Sequence, residues 1–318
     1  MKRRALLFAA TLVALYLFNF FLPRLMPGDP LQYSSAVGGE EMDAAYTAEQ
    51  LEQLREWYGL DKPLAQQFRD TVSRNLRGDW GYSIHYHMPV AEVLAQRLPW
   101  TAGLMAVSLA ASLAAGVALA LWCVRSERAD RVLPAAASLL CETPPYLIGL
   151  LLLFCVAAPS GWLPLGGGET AFAVYTGPVQ RLADLALHAL LPTVSLWLVM
   201  TPGFFFTARA SCLAVASRPY LTGARAKGLA EGRIRRVYLL RNAAPPIIAR
   251  AFLGLGQALG GALLVENVFG YPGVGTVMRE AVRYRDYPML QGVFGLSALL
   301  MVCSLAAGDW INRKRGAA

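Results

Sequence analysis

Six stretches of this chain are apolar for about 18 residues or more. They run from Ala5 to Leu22, Thr101 to Val124, Val132 to Ala158, Leu185 to Ala208, Ala243 to Val265 and Met289 to Ile311. At 1.5 Å per residue each is long enough to cross the hydrocarbon layer as a helix. The pattern therefore predicts an all-α polytopic membrane protein with six transmembrane helices. The fifth stretch is the least apolar, being rich in Gly and carrying Arg250 near its start.

Between these stretches lie polar segments of two kinds. Residues 27–99 hold 11 Asp and Glu against 6 Lys and Arg. Within them, Thr47 and Gln50 have capping-box spacing, Leu51, Leu54 and Tyr58 share one helix face, and Gly59 is placed to end that helix. A small helical loop is expected there. The other short segments are basic. Lys2, Arg3 and Arg4 precede the first stretch, and Arg125, Arg128 and Arg131 follow the second. Arg209, Arg218, Arg225, Lys227, Arg233, Arg235, Arg236 and Arg241 follow the fourth with one acid, Glu231. Arg313, Lys314 and Arg315 end the chain. Basic residues beside spans mark the cytoplasmic side, so both termini are assigned to the cytoplasm.

Composition agrees with this class. The 318 residues are 56% hydrophobic and 16% charged, with a mean hydropathy of +0.41. The net charge of +8 follows from the basic loops, and no recognised module accompanies it, so nucleic-acid binding is not expected. The apolar run of the first stretch is long and its flank lacks a small-x-small site, so it is read as a retained span. Cys123, Cys141, Cys155, Cys212 and Cys303 lie in or at the ends of apolar stretches, without a CxxC, and are read as packing residues. His85 and His87 flank Tyr86. In an extended segment they would point the same way, toward a metal, but no third ligand is evident, and a solvated polar loop is the simpler reading.

The segment from Tyr220 to Ile248, YLTGARAKGLAEGRIRRVYLLRNAAPPII, has more internal order than a tether needs. Ser217 is placed to cap a helix with Pro219 in its first turn. Tyr220, Leu221, Ala224 and Leu229 give it a narrow apolar edge, with Arg225 and Lys227 alongside. Gly228 is placed to break it or to allow close backbone approach, and Glu231 to Asn242 forms a second, basic helix. Pro245-Pro246 then suits the first turn of the next span. Anionic lipid headgroups explain the charge. The small residues and Gly228 favour insertion into a cleft on a soluble partner.

Inside the membrane stretches, Glu142 stands out. It lies about ten residues, roughly 15 Å, from the cytoplasmic end of its span, beside Pro144 and Pro145. An acid at that depth is costly and marks a cavity or a partner. The cavity reading has Glu142 facing a cationic or amine-bearing substrate. The structural readings pair it with Arg250 or leave it protonated and bonded to backbone. Arg250 itself is expected to snorkel to headgroups. Asp309 and Arg313 have i, i+4 spacing, and Glu266 and Asn267 are candidates for an outer gate or an interfacial cap.

The segments ARAKGL and RNAAPP resemble the EAA loop of ABC-importer inner-membrane permeases, above all the B-type subunit of the dipeptide, oligopeptide and nickel systems. LMPGDP after the first span, YGLDKPLAQQF and GDWGYS in the acidic loop, and ENVFGYPGVG with RDYPMLQG late in the chain are similar to family motifs and keep their order. The resemblance implies a type I importer (MetI-like) permease core in a bacterial inner membrane. It divides the chain into an N-terminal span (1–26), a periplasmic loop (27–99) and a five-helix core (100–318) holding the coupling loop (209–242).

The resemblance also implies two cytoplasmic ATPase subunits, a second homologous C-type permease, and a periplasmic or lipid-anchored binding protein. Tyr220, Ala224, Arg225, Ala226, Lys227, Gly228 and Leu229 would couple to the ATPase, and Glu142, Pro144 and Pro145 would line the path. No cofactor is expected on this chain. ATP would be used by the partners, in keeping with the absence of GxxxxGK[ST] from the sequence. Two departures are evident. Thr222 stands where the loop's namesake Glu would be, and Glu142 stands where the family usually has a small hydroxyl residue. The implied function is a permease subunit for a di- or oligopeptide-type substrate. A nickel or other metal chelate is the alternative; a secondary transporter, channel or membrane enzyme is a remote one.

Overall fold

The computed structural model describes residues 2–26, 31 and 47–316, and among these every regular element is a helix. Helix α1 is Lys2–Arg24, α2 Ala48–Tyr58, α3 Leu64–Leu76, α4 Val90–Cys123 and α5 Glu127–Cys141. Then come α6 Pro145–Ser160, α7 Pro178–Ala216 and α8 Pro219–Ala226. A turn at Glu231–Arg233 and π-type turns at Ile234–Leu240 lead directly into α9, Arg241–Phe269. Helices α10, Val274–Arg283, and α11, Tyr287–Gly316, complete the chain.

By length and composition α4, α7 and Tyr287–Ile311 of α11 are unbroken candidate spans, and two bent pairs bring the number to five. The described apolar stretch of α1, Ala10–Arg24, adds a shorter one. The boundaries differ from the sequence pattern in physically informative ways. Helix α4 starts at Val90, well before Thr101, and passes through Pro99. Its first turns are held by burial of Val90, Val93 and Leu94 rather than by lipid. The stretch 132–158 is not one rod: α5 and α6 meet at 95° across Glu142–Pro144. Pro144 and Pro145 withhold N–H groups, and a residue before proline avoids the α conformation. The second basic helix does not end before the prolines. It is continuous with α9, and the π turns lie just ahead of Pro245 and Pro246, which withhold N–H groups from the carbonyls of Arg241 and Asn242.

The chain forms two compact units. One comprises 1–99 and 273–299, the other 100–272 and 300–318. Residues 273–299, assigned from sequence to the five-helix core, thus group with the N-terminal part.

In the first unit α2 carries the expected capping box: Thr47 Oγ1 accepts from Gln50 N at 3.3 Å, and Gln50 Oε1 accepts from Thr47 N at 2.9 Å. Gly59 closes it at φ 66°. Gly292 admits Val90, since a β-carbon there would sit 2.3 Å from Val90 Cγ1. In the second unit α4 presents Leu104, Ser108, Ser112, Gly116 and Ala120 at i+4 intervals, and the four of these with side chains are at most 2% exposed. Ser108 and Ser112 donate to the carbonyls of Thr193 and Trp197 in α7 at 3.4 and 3.3 Å. This stripe of small residues lets two long helices touch backbone to side chain, as membrane helices do in the absence of a hydrophobic driving force. The cysteines are free thiols; Cys123 and Cys212 are buried as packing residues, whereas Cys141, Cys155 and Cys303 are exposed.

A β-carbon at Gly116 would lie 2.6 Å from Phe204 Cβ and 2.8 Å from Phe205 N, whereas one at Gly103 meets nothing within 4 Å. Gly116→Val is therefore expected to destabilise by about 1–3 kcal/mol, and Gly103→Ala to be near neutral. Thermal unfolding of the two detergent-purified variants checks this; equal midpoints would contradict the close α4–α7 contact.

Candidate functional site

The basic segment folds back on its own chain. Arg218, not Ser217, is the N-cap of α8; Ser217 instead closes α7, and its hydroxyl donates to the Ala214 carbonyl at 3.0 Å. Pro219 occupies the first turn, where its missing N–H costs nothing. Leu221 is 1% and Ala224 4% exposed, packed with Phe205, Ala208, Cys212, Ile234, Leu239 and Ala243. Tyr220, Gly223, Ala226 and Lys227 face outward, and a β-carbon at Gly223 would meet nothing within 4 Å. The helix thus has an anchoring edge and a free face whose centre is made of small residues. Ala224, grouped from sequence with the partner-facing residues, belongs to the anchor. Leu229 is half-buried beside the same cluster.

Gly228 ends α8 at φ +70°, a left-handed conformation that side chains resist. Its N–H donates to Arg225 O at 2.9 Å. Glu231 accepts from Arg225 Nε at 3.1 Å, and its backbone carbonyl accepts from Arg235 Nε at 3.1 Å. Arg225 is therefore tied to the loop's single acid, which the sequence reading did not foresee. At the start of the segment, Arg209 of α7 forks onto Asp130 of α5 at 2.6 and 2.8 Å, a bidentate pair that clamps these two helix ends together.

Glu142 is the last cap of α5, exposed, at the 95° break. Pro145 packs on Gly261 of α9, eight residues, about 12 Å, before Phe269. Arg250 lies eleven residues, about 16 Å, the other way. The proposed Glu142–Arg250 partnership is therefore not formed. Arg250 also does not reach out toward a lipid surface. Its guanidinium lies over Gly203 of α7, where a β-carbon would sit 2.3 Å from Nη2. Glu266 is fully buried, and its backbone carbonyl accepts from the N–H groups of Gly270 and, at 2.8 Å, of Tyr271, which close the C-terminus of α9. Asn267 donates to Leu263 O at 2.8 Å. The Arg313 side chain of the proposed pair with Asp309 lies outside the described side chains, and LMPGDP lies largely outside the described residues.

In the first unit, two separated sequence motifs, GDWGYS and RDYPMLQG, meet at one buried carboxylate. Asp286, 0% exposed, caps α11 through Oδ1, which accepts from Met289 N at 3.0 Å. Its Oδ2 accepts from the Ser83 hydroxyl and from His85 N at 3.0 Å. Ser83 Oγ in turn accepts from Tyr86 N at 2.9 Å. The hairpin around this lock carries an antiparallel bridge between Tyr82 and Pro89. Tyr58, from YGLDKPLAQQF, reaches Ser83 O at 3.4 Å. The Tyr86 hydroxyl donates to Glu280, and burial together with that bond pushes its phenol well above the ordinary range. His85 stacks on Tyr284 with centroids 3.8 Å apart and planes 9° apart. It is half-buried, not solvated as the sequence suggested, and no metal-holding cluster occurs among the described residues. Asp286 sits inside the quoted RDYPMLQG motif; only its Asp-x-x-Met capping position could have pointed to it.

The family model described as a binding-protein-dependent transport system inner membrane component matches residues 109–314. The chain belongs to that family. It is a multi-pass membrane component of a transport system that works with an ATPase and a substrate-binding partner. Over 304 residues it is 33% identical to a probable peptide ABC transporter permease protein, y4tP, of Sinorhizobium fredii, covering 94% of this chain and 92% of that protein. It is 32% identical over 306 residues to the glutathione transport system permease protein GsiC of Escherichia coli and of Pectobacterium atrosepticum, with the same coverage. A solved inward-facing MetNI methionine ABC transporter chain superposes with a TM-score of 0.56 at 18% identity, over 70% of this permease and 95% of that chain. The fold is therefore MetI-like, as the sequence motifs implied.

The lock at Asp286 has two measurable consequences. Asp286→Ala removes three donors' acceptor and is expected to cost about 3 kcal/mol, with Asp286→Asn costing less. An Asp286→Ala permease that unfolds at the parent's temperature would refute the lock. Burial also lowers the His85 imidazole below its usual 6.5, outweighing the opposing pull of Glu280 and Asp286. The unfolded chain then binds the extra proton first, so this contribution is intact above 6.5 and lost as pH falls through the depressed value. His85→Gln should flatten that acid limb in pH-scanned unfolding.

Proposed function

We propose that this permease forms one half of the translocation path of an ABC importer for a di- or oligopeptide-type substrate. ATP hydrolysis resides in two cytoplasmic ATPase subunits, and a second, homologous permease of the C type completes the path. A periplasmic or lipid-anchored binding protein delivers substrate. The names of the relatives above, peptide and glutathione permeases, support the substrate class; none of them supports nickel. The basic loops support a cytoplasmic position for both termini, in a bacterial inner membrane. This chain carries no nucleotide chemistry of its own in this reading: it acts as a transport subunit, not an enzyme.

The observation that carries the reading is the two-faced α8. Leu221 and Ala224 fasten the helix to the core that also holds α7 and the start of α9, so a push on α8 is passed to the spans. Tyr220, Gly223, Ala226 and Lys227 are left for the ATPase cleft, Gly228 turns the chain away behind them, and Arg225 is oriented by Glu231. Exposed Arg218, Arg233, Arg236 and Arg241 suit anionic lipid headgroups at the same surface. Glu142 at the α5–α6 break, with Pro144 and Pro145, lines the path, where a carboxylate suits the cationic amine of a peptide. Coupling is then mechanical: closure of the ATPases shifts the balance between inward- and outward-facing states.

Gly223→Trp and Ala226→Trp are expected to lower binding-protein-stimulated ATP hydrolysis of the reconstituted complex roughly ten-fold or more, as loss of an interface hot spot does. Ala224→Trp should instead reduce the yield of folded protein. A Gly223→Trp complex that keeps its ATPase and full coupling would remove α8 from the interface. For the path, Glu142→Gln should depress uptake at normal membrane level; unchanged uptake would exclude the residue from it.

A further inference from the structure

We propose that the first unit holds a binding site for a small organic carboxylate with an apolar or aromatic body. The site is a cavity of about 380 Å³ lined by residues of 1–99 and 273–299. That volume lies in the range of small-molecule sites. The proposal goes beyond the transport reading and stands on this unit's own geometry.

The polar groups of the cavity are biased toward donors. Arg24 is held in place rather than mobile: Nε donates to Gln67 Oε1 at 3.1 Å, Nη1 to Phe20 O at 2.9 Å, and the guanidinium carbon lies 3.7 Å from the Phe20 ring centroid. All of these partners are neutral. Arg74 brings a second guanidinium to the same wall. Gln291 adds a buried amide nitrogen, Nε2, that has no acceptor among the described residues. The one acid in the wall, Asp79, already accepts from Gly81 N at 2.9 Å through Oδ1. Lys62 and Asp70, which line an adjoining cavity, satisfy each other at 3.1 Å. Two guanidinium groups and an orphaned amide donor against one partly engaged carboxylate leave the site short of acceptor oxygens and of negative charge. A carboxylate supplies both, and a guanidinium fork matches it bidentately.

The rest of the wall gives the ligand its second feature. Trp57, Tyr58, Trp80 and Tyr82 border the cavity, a surface for an apolar or aromatic body and one larger than a bare ion needs. A lipid phosphate shares the oxyanion chemistry, and the experiment separates the two sources.

The full-length permease, co-purified with its partners, is placed in phosphatidylcholine nanodiscs and titrated with N-acetylphenylalanine or its amide. Trp57 and Trp80 in the wall provide a fluorescence signal. The acid should give a saturable change that disappears in the Trp57→Phe/Trp80→Phe variant, and the amide should bind about ten-fold more weakly, as loss of a charge-assisted bond predicts. Arg74→Gln should weaken the acid by a similar factor. Arg74 makes no side-chain hydrogen bond among the described residues, so this variant keeps the test open even if Arg24→Gln, which also frees α1 from Gln67, fails to fold. Equal binding of acid and amide, an unaltered affinity in Arg74→Gln, or no saturable change at millimolar acid would each overturn the proposal. So would a signal that appears only when phosphatidylglycerol is added to the discs.

Discussion

In a bilayer no water reaches an unpaired N–H or C=O, so every segment that crosses must satisfy its own backbone. The rest of this permease depends on that constraint. It makes every described membrane-spanning segment helical, and it makes each departure from a regular helix conspicuous. Three of these departures fall at Glu142–Pro144, at the π turns Ile234–Leu240 and at Gly228. Each has a local cause in proline or glycine. The first two adjoin the residues assigned to the path and to coupling, and the third is the turn that ends α8.

Without a hydrophobic drive between helices in lipid, close approach has to come from small side chains and polar pairs. The stripe Ser108–Ser112–Gly116–Ala120 on α4 and the Asp130–Arg209 fork supply these in the second unit. In the first unit the equivalent role falls to the buried Asp286 carboxylate. It caps one helix while holding a hairpin more than two hundred residues away in sequence. These are specific, directional contacts. They give each unit a defined geometry.

Class, approximate spans and the helical, basic segment around Gly228 were legible because they rest on periodicity, charge asymmetry and local motifs. The capping box at Thr47, the helix-opening Pro219 and the left-handed Gly228 were legible for the same reason: each depends on residues within one turn. Which face of α8 is free was not legible. Tyr220, Leu221 and Ala224 form one apolar edge in sequence, but only packing against Phe205 and Ile234 separates the anchor from the exposed Tyr220. Nor could sequence foresee that Arg250 lies over Gly203, since that contact joins two different helices.

The amino-acid order alone thus determined that this is a helical membrane permease with a basic, internally ordered loop, because hydropathy and short motifs act within a single element. The tertiary structure decided the 95° break at Glu142 as a geometry, the inward burial of Ala224, the grouping of 273–299 with the N-terminal part, and the convergence of Arg24, Arg74 and Gln291 on one cavity. Those facts depend on which distant side chains meet. Contact across long sequence separations is set by packing, burial and directional hydrogen bonds that no local pattern encodes.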